Sequence, residues 1–392
     1  MRQRLIPIAW LLVAPLVMAP RAAAQQPAPG SQTPDASDVR PTAIDIRELG
    51  SGSLQPRSDL VPAGSTRIRF EGRWHLESSD GPAVTVNTGS LFRLRFTGES
   101  CRLLFDTRRD VPPEPHLWMR LDNDAWREIS VIAEVDLTAR GTSPHTLQVI
   151  FKGADERQSR WDPPLEAHVT FVGLTLAPGG RLLDPPDEPS LSIEFLGDSI
   201  TEGVFVNGTG EARPEVDDAR RTYAFQTGEA LKAYFRIVGF GLIGITRPGN
   251  GGVPDALEAF PYAYGGQLKD RFQPRLCVIN LGTNDAAADS ALFSARYAAY
   301  LRLIRADYPE ALLVCMRPFN GAHADDIRRT VQQRRADGDP RAFYVDTTAW
   351  IDPARDTIDG LHPNAAGHTR AAQRLTSALR ALLPELERPL LP

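Results

Sequence analysis

The sequence predicts two structural parts: an N-terminal all-β sandwich or jelly roll, and a C-terminal three-layer α/β/α domain with a parallel sheet. The first prediction rests on short alternating apolar runs that are separated by turn residues and show little helical periodicity. The second rests on fully apolar strands that alternate with helical segments, a pattern typical of a parallel sheet covered on both faces. A proline-rich stretch at 184–189 separates the two patterns. We therefore predict a sandwich over 43–185 and an α/β domain over 190–386.

The N-terminus of the 392-residue chain has the features of a secretory leader. Two arginines precede an apolar stretch over residues 5–19, and an alanine triplet follows as a small-residue cleavage site. The apolar stretch is too short for a membrane span and contains two prolines. We expect a signal peptide over 1–24, a disordered linker rich in Pro, Gln, Ser and Ala over 25–42, and a secreted or periplasmic protein without a membrane span.

Composition argues against a nucleic-acid partner, a disulfide framework and a metal site. The formal net charge of −5, which would become more negative on loss of the arginine-containing leader, argues against nucleic acid as a partner. The three cysteines cannot all pair with one another and lie in apolar strand-like runs, so we expect buried thiols. Neither the cysteines nor the histidines have the spacing of a zinc site. We therefore assign no metal and no cofactor.

The strand candidates of the first part are runs in which apolar and polar residues alternate. They cover 66–70, 91–96, 101–106, 117–121, 145–152 and 167–176. Their regular spacing, with turn residues between them, indicates two packed antiparallel sheets. A Pro-Gly-Gly turn at 178–180 closes the series.

The second part repeats the order strand, then helix. Strands are predicted at 191–196, 237–241, 276–281, 311–316 and 343–346. Helices are predicted at 222–235, 265–271, 291–308, 324–335 and 365–383. Strands joined through helices in this way run parallel, because each helix carries the chain back to the starting edge of the sheet.

A serine stands at the point where the first strand of the second part ends, in Gly197-Asp198-Ser199. Open α/β sheets place their reactive groups at the carboxyl ends of strands. A serine hydroxyl needs a base to become a nucleophile, and the base needs an acid to orient it. Asp359 and His362 offer both groups, since one tight turn can bring that carboxylate to the imidazole. Taken alone, Ser199 could equally be a helix N-cap.

The chain order Ser, Asp, His also occurs in α/β-hydrolases, but segment 197–201 lacks the second glycine of their nucleophile elbow, which disfavours that fold. Four segments instead resemble the signature blocks of the SGNH, or GDSL-type, hydrolase superfamily. They are Gly197-Asp198-Ser199, the glycine-rich 239–246, Gly282-Thr283-Asn284-Asp285 and Asp359-Gly360-Leu361-His362-Pro363. The second block departs from the family pattern because it lacks the usual Asn and Ser.

This resemblance implies acyl transfer by a catalytic triad, with Ser199 as nucleophile, His362 as general base and Asp359 as the acid that orients the base. A backbone carbonyl in place of Asp359 stays open as the orienting group. The resemblance also implies an oxyanion hole.

The oxyanion donors implied by the resemblance are the backbone amides of Ser199 and Gly244 and the side-chain amide of Asn284. Gly241 is the alternative to Gly244. Such donors stabilise the negative charge that develops on the carbonyl oxygen.

The β-rich part narrows the resemblance. A secreted jelly roll directly before an SGNH domain is similar to carbohydrate esterase family 2, and the segments 71–74, 92–98, 121–123, 145–147 and 151–156 fit that family. Its members deacetylate sugars, so the resemblance implies a metal-free esterase that acts on acetylated oligo- or polysaccharides of the xylan or mannan type. Two alternatives stay open: an SGNH lipase, thioesterase or arylesterase with broader acyl tolerance, or a glycan-binding protein with a degenerate hydrolase domain.

Three further side chains are candidate substrate contacts. Trp161 and Trp350 have aromatic faces that suit sugar rings, although a buried tryptophan is more common than a binding one. Arg247 lies just after the second block and could also contact substrate. The acidic, glycine-containing segment 206–221 is expected to form a loop beside the nucleophile and to shape the acyl pocket.

Overall fold

The computed structural model describes residues 59–211 and 213–387. The predicted signal peptide and linker lie outside the described residues. The described residues all belong to one compact unit, so the exact boundary between sandwich and α/β domain stays a prediction. No helix in the described part of the chain has both the length and the apolar character needed to cross a bilayer.

Twelve strands build the sandwich in residues 61–183. They are β1 Val61–Pro62, β2 Ile68–Glu71, β3 His75–Leu76, β4 Ala83–Thr85, β5 Leu91–Thr97, β6 Ser100–Phe105, β7 His116–Leu121, β8 Arg127–Ser130, β9 Glu134–Thr138, β10 His145–Gly153, β11 Val169–Leu176 and β12 Arg181–Leu183. One sheet has the order β3-β4-β11-β6-β9 with β1 beside β11, and the other has the order β12-β5-β10-β7-β8 with β2 beside β5. The pairing is antiparallel, which confirms the predicted fold of this part.

The sandwich core forms where the inward-facing residues of both sheets meet. Phe92 of β5 and Phe171 of β11 stack with their ring centroids 4.3 Å apart, and both are almost fully buried. Along β7 and most of β5, buried residues alternate with half-buried ones, as the alternating sequence pattern predicts.

The second part is a five-stranded parallel sheet with helices on both faces, also as predicted. Its strands are β13 Ser192–Gly197, β14 Tyr234–Gly239, β17 Leu276–Asn280, β18 Leu312–Met316 and β19 Ala342–Val345, in the order β14-β13-β17-β18-β19. Its helices are α1 Ser199–Glu202, α2 Arg213–Val216, α3 Tyr223–Ala230, α4 Ala256–Ala259, α5 Ser290–Asp307, α6 Ala324–Ala336, α7 Pro353–Asp356 and α8 Ala365–Leu382.

Helices α5 and α6 cover one face of this sheet, and α3 and α8 cover the other. The strands themselves are buried along almost their whole length, which explains their continuous apolar sequences. Because β13, β14 and β17 are adjacent and parallel, the loops that follow them meet at one edge of the sheet. The first three sequence blocks lie in these three loops.

Two predicted helices of the second part are wrong in whole or in part. Residues 265–271 contain no helix: β15 Tyr262–Tyr264 and β16 Gln267–Leu268 form a small hairpin whose turn includes Gly266 at φ +76°. The helix predicted to extend to residue 235 ends at Ala230, because Lys232 adopts φ +52° and β14 starts two residues later.

The sandwich and the α/β part share buried contacts. Arg73 of the sandwich forms an ion pair with Glu194 of β13, with Nε 3.2 Å from Oε1 and both side chains buried. The Tyr234 hydroxyl of β14 donates to the Phe70 carbonyl at 2.7 Å. Ile150 of β10 packs in the same core as α3 and α8. The sandwich is therefore positioned to influence the catalytic part directly.

Candidate active site

Ser199 is the first residue of α1, immediately after β13. Asp198 caps this helix, with its carboxylate accepting the Ile200 N–H at 3.0 Å. Gly197 ends the strand, and a Cβ at this position would lie 2.0 Å from Thr201 Oγ1, so the turn requires glycine. The Ser199 backbone N–H belongs to the first helical turn, where amides have no intrahelical acceptor.

The three triad candidates come together in this structure. Ser199 Oγ lies 2.9 Å from His362 Nε2, and His362 Nδ1 lies 2.7 Å from Asp359 Oδ2. Both distances are normal for hydrogen bonds. With Nδ1–H donating to the carboxylate, Nε2 is left as an acceptor for the serine hydroxyl. A carboxylate, and not a backbone carbonyl, therefore contacts the far nitrogen of the imidazole.

Asp359 also organises its own turn. Its Oδ1 accepts the backbone N–H groups of Leu361 at 3.0 Å and His362 at 2.8 Å. Partial burial by itself would raise the pKa of Asp359, but the hydrogen bonds from His362 and Leu361 outweigh it and hold the pKa below the ordinary value of 3.8. Asp359 is therefore ionised at neutral pH and suited to stabilise an imidazolium.

Asp198 is structural in this arrangement. It is fully buried, and this burial raises its pKa to about 6 against the lowering effects of the Ile200 hydrogen bond and the His362 charge. Its carboxylate points at the helix amide that it caps, while Asp359 bonds to the imidazole.

Asn284 lies after β17 in the 3₁₀ helix Thr283–Asp285. Its Nδ2 donates to the Ile243 carbonyl at 2.9 Å, which fixes the orientation of the amide. The amide nitrogen carries two hydrogens, so this bond leaves the second one for another acceptor. Asn284 thus retains the donor that the oxyanion role requires.

Gly244 is placed differently from expectation. Its backbone N–H donates to the Arg247 carbonyl at 3.1 Å, so that amide closes a turn in this structure. The position still demands glycine, because a Cβ would lie 2.6 Å from Asp285 Oδ1. The assignment of the glycine donor therefore stays a prediction, with Gly241 as the open alternative.

Asp285, to which the sequence analysis gave no role, holds a neighbouring loop of the site. Its carboxylate accepts the Ile245 N–H at 3.0 Å, the Thr246 N–H at 2.8 Å and the Thr246 hydroxyl at 2.7 Å. Its carbonyl accepts from His323 Nε2 at 2.7 Å. Asp285, the last residue of the third block, thus holds the loop of the second block in place. The sequence signal that could have indicated this role is its position within the third block.

The two tryptophan candidates are largely buried in this structure. Trp161 is 6% exposed and packs edge-on against Phe240 and Tyr262, with centroids 6.1 and 6.2 Å away. Trp350 is 9% exposed and packs in the core on the α3 and α8 side. Both indoles contribute to packing, and their role as substrate contacts stays a prediction. Arg247 is exposed, and its role as a substrate contact stays a prediction.

Phe205, which the sequence did not single out, contacts the catalytic base candidate. Its ring meets the His362 ring edge-to-face, with centroids 5.4 Å apart and planes at 83°. Phe205 immediately precedes the 206–221 segment that was expected to form a loop beside the nucleophile. The contact depends on a backbone conformation that no local sequence signal reveals.

The chain is similar to known esterases in sequence. Residues 195–370 match the GDSL-like lipase/acylhydrolase family. The chain is 30% identical over 343 residues to the cellulase/esterase CelE of Acetivibrio thermocellus, a match that covers 80% of this chain and 39% of that protein. It is 26% identical to the acetylxylan esterase/glucomannan deacetylase of Cellvibrio japonicus, covering 84% of this chain and 93% of that one.

Solved structures of the same kind share the whole two-part fold. A family 2 carbohydrate esterase from Clostridium thermocellum, in complex with cellohexaose, superposes with a TM-score of 0.69 at 25% identity, covering 81% of this chain and 99% of that one. The family 2 esterase from Cellvibrio japonicus also has a TM-score of 0.69, at 23% identity, with 84% and 98% covered. The chain therefore carries a GDSL-type acylhydrolase domain within the fold of the family 2 carbohydrate esterases.

Proposed function

We propose that this protein is an exported serine esterase that removes O-acetyl groups from carbohydrates. The observation that carries the proposal is the unbroken hydrogen-bonded series from Ser199 Oγ through the imidazole of His362 to the Asp359 carboxylate. A serine that only capped a helix would not require His362 and Asp359 beside it, so a purely structural role for Ser199 does not explain the arrangement.

The proposed reaction starts when Ser199 Oγ attacks the ester carbonyl and His362 Nε2 takes its proton. Asp359 stabilises the imidazolium that forms and keeps the ring in the productive tautomer. As the bond from the acetyl carbon to the sugar oxygen breaks, the protonated Nε2 gives its proton to that oxygen, which leaves as a hydroxyl. Water, activated by the same imidazole, releases acetate from the acyl-enzyme. No metal or cofactor takes part in this scheme.

The oxyanion of each tetrahedral intermediate is assigned to the Ser199 backbone amide, the second hydrogen of the Asn284 amide and one glycine amide. Gly244 could supply the last donor if it releases the Arg247 carbonyl, and Gly241 could supply it without that change. Donors fixed before the reaction need no reorganisation as charge develops. Asp285 and Thr246 provide this rigidity for the glycine loop.

The names of the relatives support the proposed substrate class. One related protein is named an acetylxylan esterase and glucomannan deacetylase, and a structural neighbour was solved with cellohexaose. These names support an acetylated β-linked polysaccharide as the substrate of this chain. They favour it over the lipase, thioesterase or arylesterase alternatives that the catalytic blocks alone leave open.

The proposal is tested by measuring acetate release from acetylated xylan, acetylated glucomannan and acetylated peptidoglycan. We expect release from at least one of the two plant polysaccharides. A second assay compares 4-nitrophenyl acetate with 4-nitrophenyl octanoate, and we expect a steep loss of kcat/KM on the longer ester. Equal rates on both esters, without acetate release from any polysaccharide, would replace the deacetylase assignment by a general acyl-esterase one.

A further inference from the structure

Phe205 adopts a backbone conformation that is unusual for its residue type. Its φ is +62°, in the left-handed region, where a side chain with a Cβ is disfavoured. Residues held in such a conformation cost stability, and they persist only where surrounding contacts impose it. The side chain held in this way is the one whose ring meets the imidazole of His362.

Two buried charged residues hold Phe205 in this conformation. Asp217 Oδ1 accepts the Phe205 N–H at 2.8 Å, and Asp217 Oδ2 lies 3.3 Å from Nε of Arg213. The guanidinium carbon of Arg213 lies 4.0 Å from the centroid of the Phe205 ring. The ring thus contacts both the guanidinium of Arg213 and the imidazole of His362.

The sandwich supplies the anchor for these groups. Glu156, which follows β10, forms an ion pair with Arg213 in which Oε1 is 3.0 Å from Nη2. Lys152 of β10 is completely buried, and its ammonium donates to the carbonyls of Pro214 and Glu215 in α2. Both contacts reach the 205–217 loop from the β part of the chain. The loop is therefore not free to move independently of the sandwich.

We propose that Phe205 is a positioning residue for His362, and that the sandwich holds it in that position through Glu156 and Arg213. The proposal rests on the proposed function, because it assumes that His362 acts as the base. His362 is held by Asp359 in the plane of its ring, and the edge-to-face contact restricts the remaining rotation of the imidazole. A base that must stay within hydrogen-bond reach of Ser199 gains from such a restriction.

The test uses Phe205→Ala, Phe205→Tyr and the matched control Phe272→Ala. Phe272 is also partly buried and also has a guanidinium 4.0 Å from its ring centroid, that of Arg236, but it packs away from the triad. Each full-length variant is assayed for kcat and KM on 4-nitrophenyl acetate and for the rate of labelling by a fluorophosphonate. Thermal unfolding confirms that each variant is folded.

We expect Phe205→Ala to lower kcat and the labelling rate about five- to tenfold, which corresponds to the energy of one aromatic pair, with KM changed less than twofold. Phe205→Tyr retains the ring and should stay within twofold of the wild type, as should Phe272→Ala. Glu156→Gln, which does not touch His362, should lower kcat about threefold. Because Glu156 also packs against Gly241, this loss is assigned to Arg213 and Phe205 only if Glu156→Gln causes no further loss in the Phe205→Ala background.

An unchanged kcat and labelling rate in folded Phe205→Ala would overturn the proposal. So would an equal loss in Phe272→Ala, or a loss in Phe205→Tyr as large as that in Phe205→Ala. A failure of the proposed function alone would look different. The wild type would then be labelled at Ser199 but would release no acetate from sugars. The labelling rates of the variants would still test the role of Phe205. Absence of labelling in the wild type would overturn both.

Discussion

The guanidinium of Arg160 and the carboxylate of Glu202 form a bidentate ion pair that joins the sandwich to the nucleophile helix. Nη2 of the arginine lies 3.1 Å from Oε2 of the glutamate, and both side chains are 1% exposed. Arg160 lies in the segment after β10, whereas Glu202 ends the helix that Ser199 begins. The position of the nucleophile helix thus depends on a charge supplied by the β part of the chain.

Removing one member of this pair should strongly destabilise the protein. Arg160→Met leaves the Glu202 carboxylate buried without its countercharge, which typically costs about 3–5 kcal/mol. Urea-induced unfolding measures this loss. The control Arg328→Met removes an exposed partner of Asp325 and should cost less than about 1 kcal/mol. The double variant Arg160→Met/Glu202→Met should recover part of the loss. An equal loss of stability in Arg160→Met and Arg328→Met would show that the buried pair does not stabilise the fold more than an exposed pair does.

Replacing Asp359 by asparagine should lower kcat without unfolding the turn. The asparagine oxygen can still accept the N–H groups of Leu361 and His362, but the side chain can no longer stabilise a positive imidazolium. We expect kcat on 4-nitrophenyl acetate to fall on the order of 10²-fold. Asp346→Asn, at an exposed position where the carboxylate accepts from Thr348, serves as the control and should leave kcat unchanged. Near-wild-type turnover by Asp359→Asn would remove Asp359 from the mechanism.

The oxyanion role of Asn284 predicts a loss that appears in kcat more than in KM. Asn284→Ala removes a donor that acts on the charge developing in the transition state, and the loss of one such donor commonly costs on the order of 10²–10³ in kcat. The exposed Asn123 of the sandwich provides the matched control, Asn123→Ala. A change confined to KM would assign Asn284 to substrate binding instead.

His368 predicts an acid-dependent loss of stability. It is fully buried in α8, its Nδ1 accepts the Tyr223 N–H at 3.0 Å, and burial, aided by His362, lowers its pKa from 6.5 to about 3. Between these values the unfolded chain binds the proton and the folded one does not, so stability falls as the pH drops below 6.5. At pH 5 the resulting loss in the free energy of unfolding is about 2 kcal/mol.

His368→Asn retains an acceptor for the Tyr223 amide but does not titrate. The difference in the free energy of unfolding between pH 7.5 and pH 5 should therefore be smaller in the variant than in the wild type by about 2 kcal/mol. Denaturant titrations at the two pH values measure it. An identical pH dependence in both proteins would show that His368 is not the group responsible.

Structure could be predicted from the sequence where the local residue pattern and the tertiary environment favour the same conformation. The parallel strands were predicted to within a few residues because burial on both faces requires continuous apolar runs. The triad candidates could be found because their chemistry needs particular residue types at the ends of particular elements. In contrast, the hairpin at 262–268 was mistaken for a helix, since its turn glycine gave only a weak local signal.

The remaining features depend on contacts between distant parts of the chain. Asp217 and Arg213 hold Phe205 at its positive φ. Their position next to Phe205 and His362 exists only in the folded chain, so the sequence pattern does not reveal it. The Gly244 amide is occupied by the Arg247 carbonyl, a turn that the glycine pattern did not reveal. The burial of Trp161 likewise follows from its neighbours Phe240 and Tyr262, and residue type alone did not decide between packing and sugar binding.

The central claim is tested most directly by measuring acetate release from acetylated glucomannan and from 4-nitrophenyl acetate by the wild type, Ser199→Ala and Ser377→Ala. Ser377 is an exposed serine of α8 and serves as the matched control. The account predicts that Ser199→Ala loses on the order of 10⁴-fold or more in kcat, while Ser377→Ala equals the wild type. Hydrolysis by folded Ser199→Ala at the wild-type rate would contradict it.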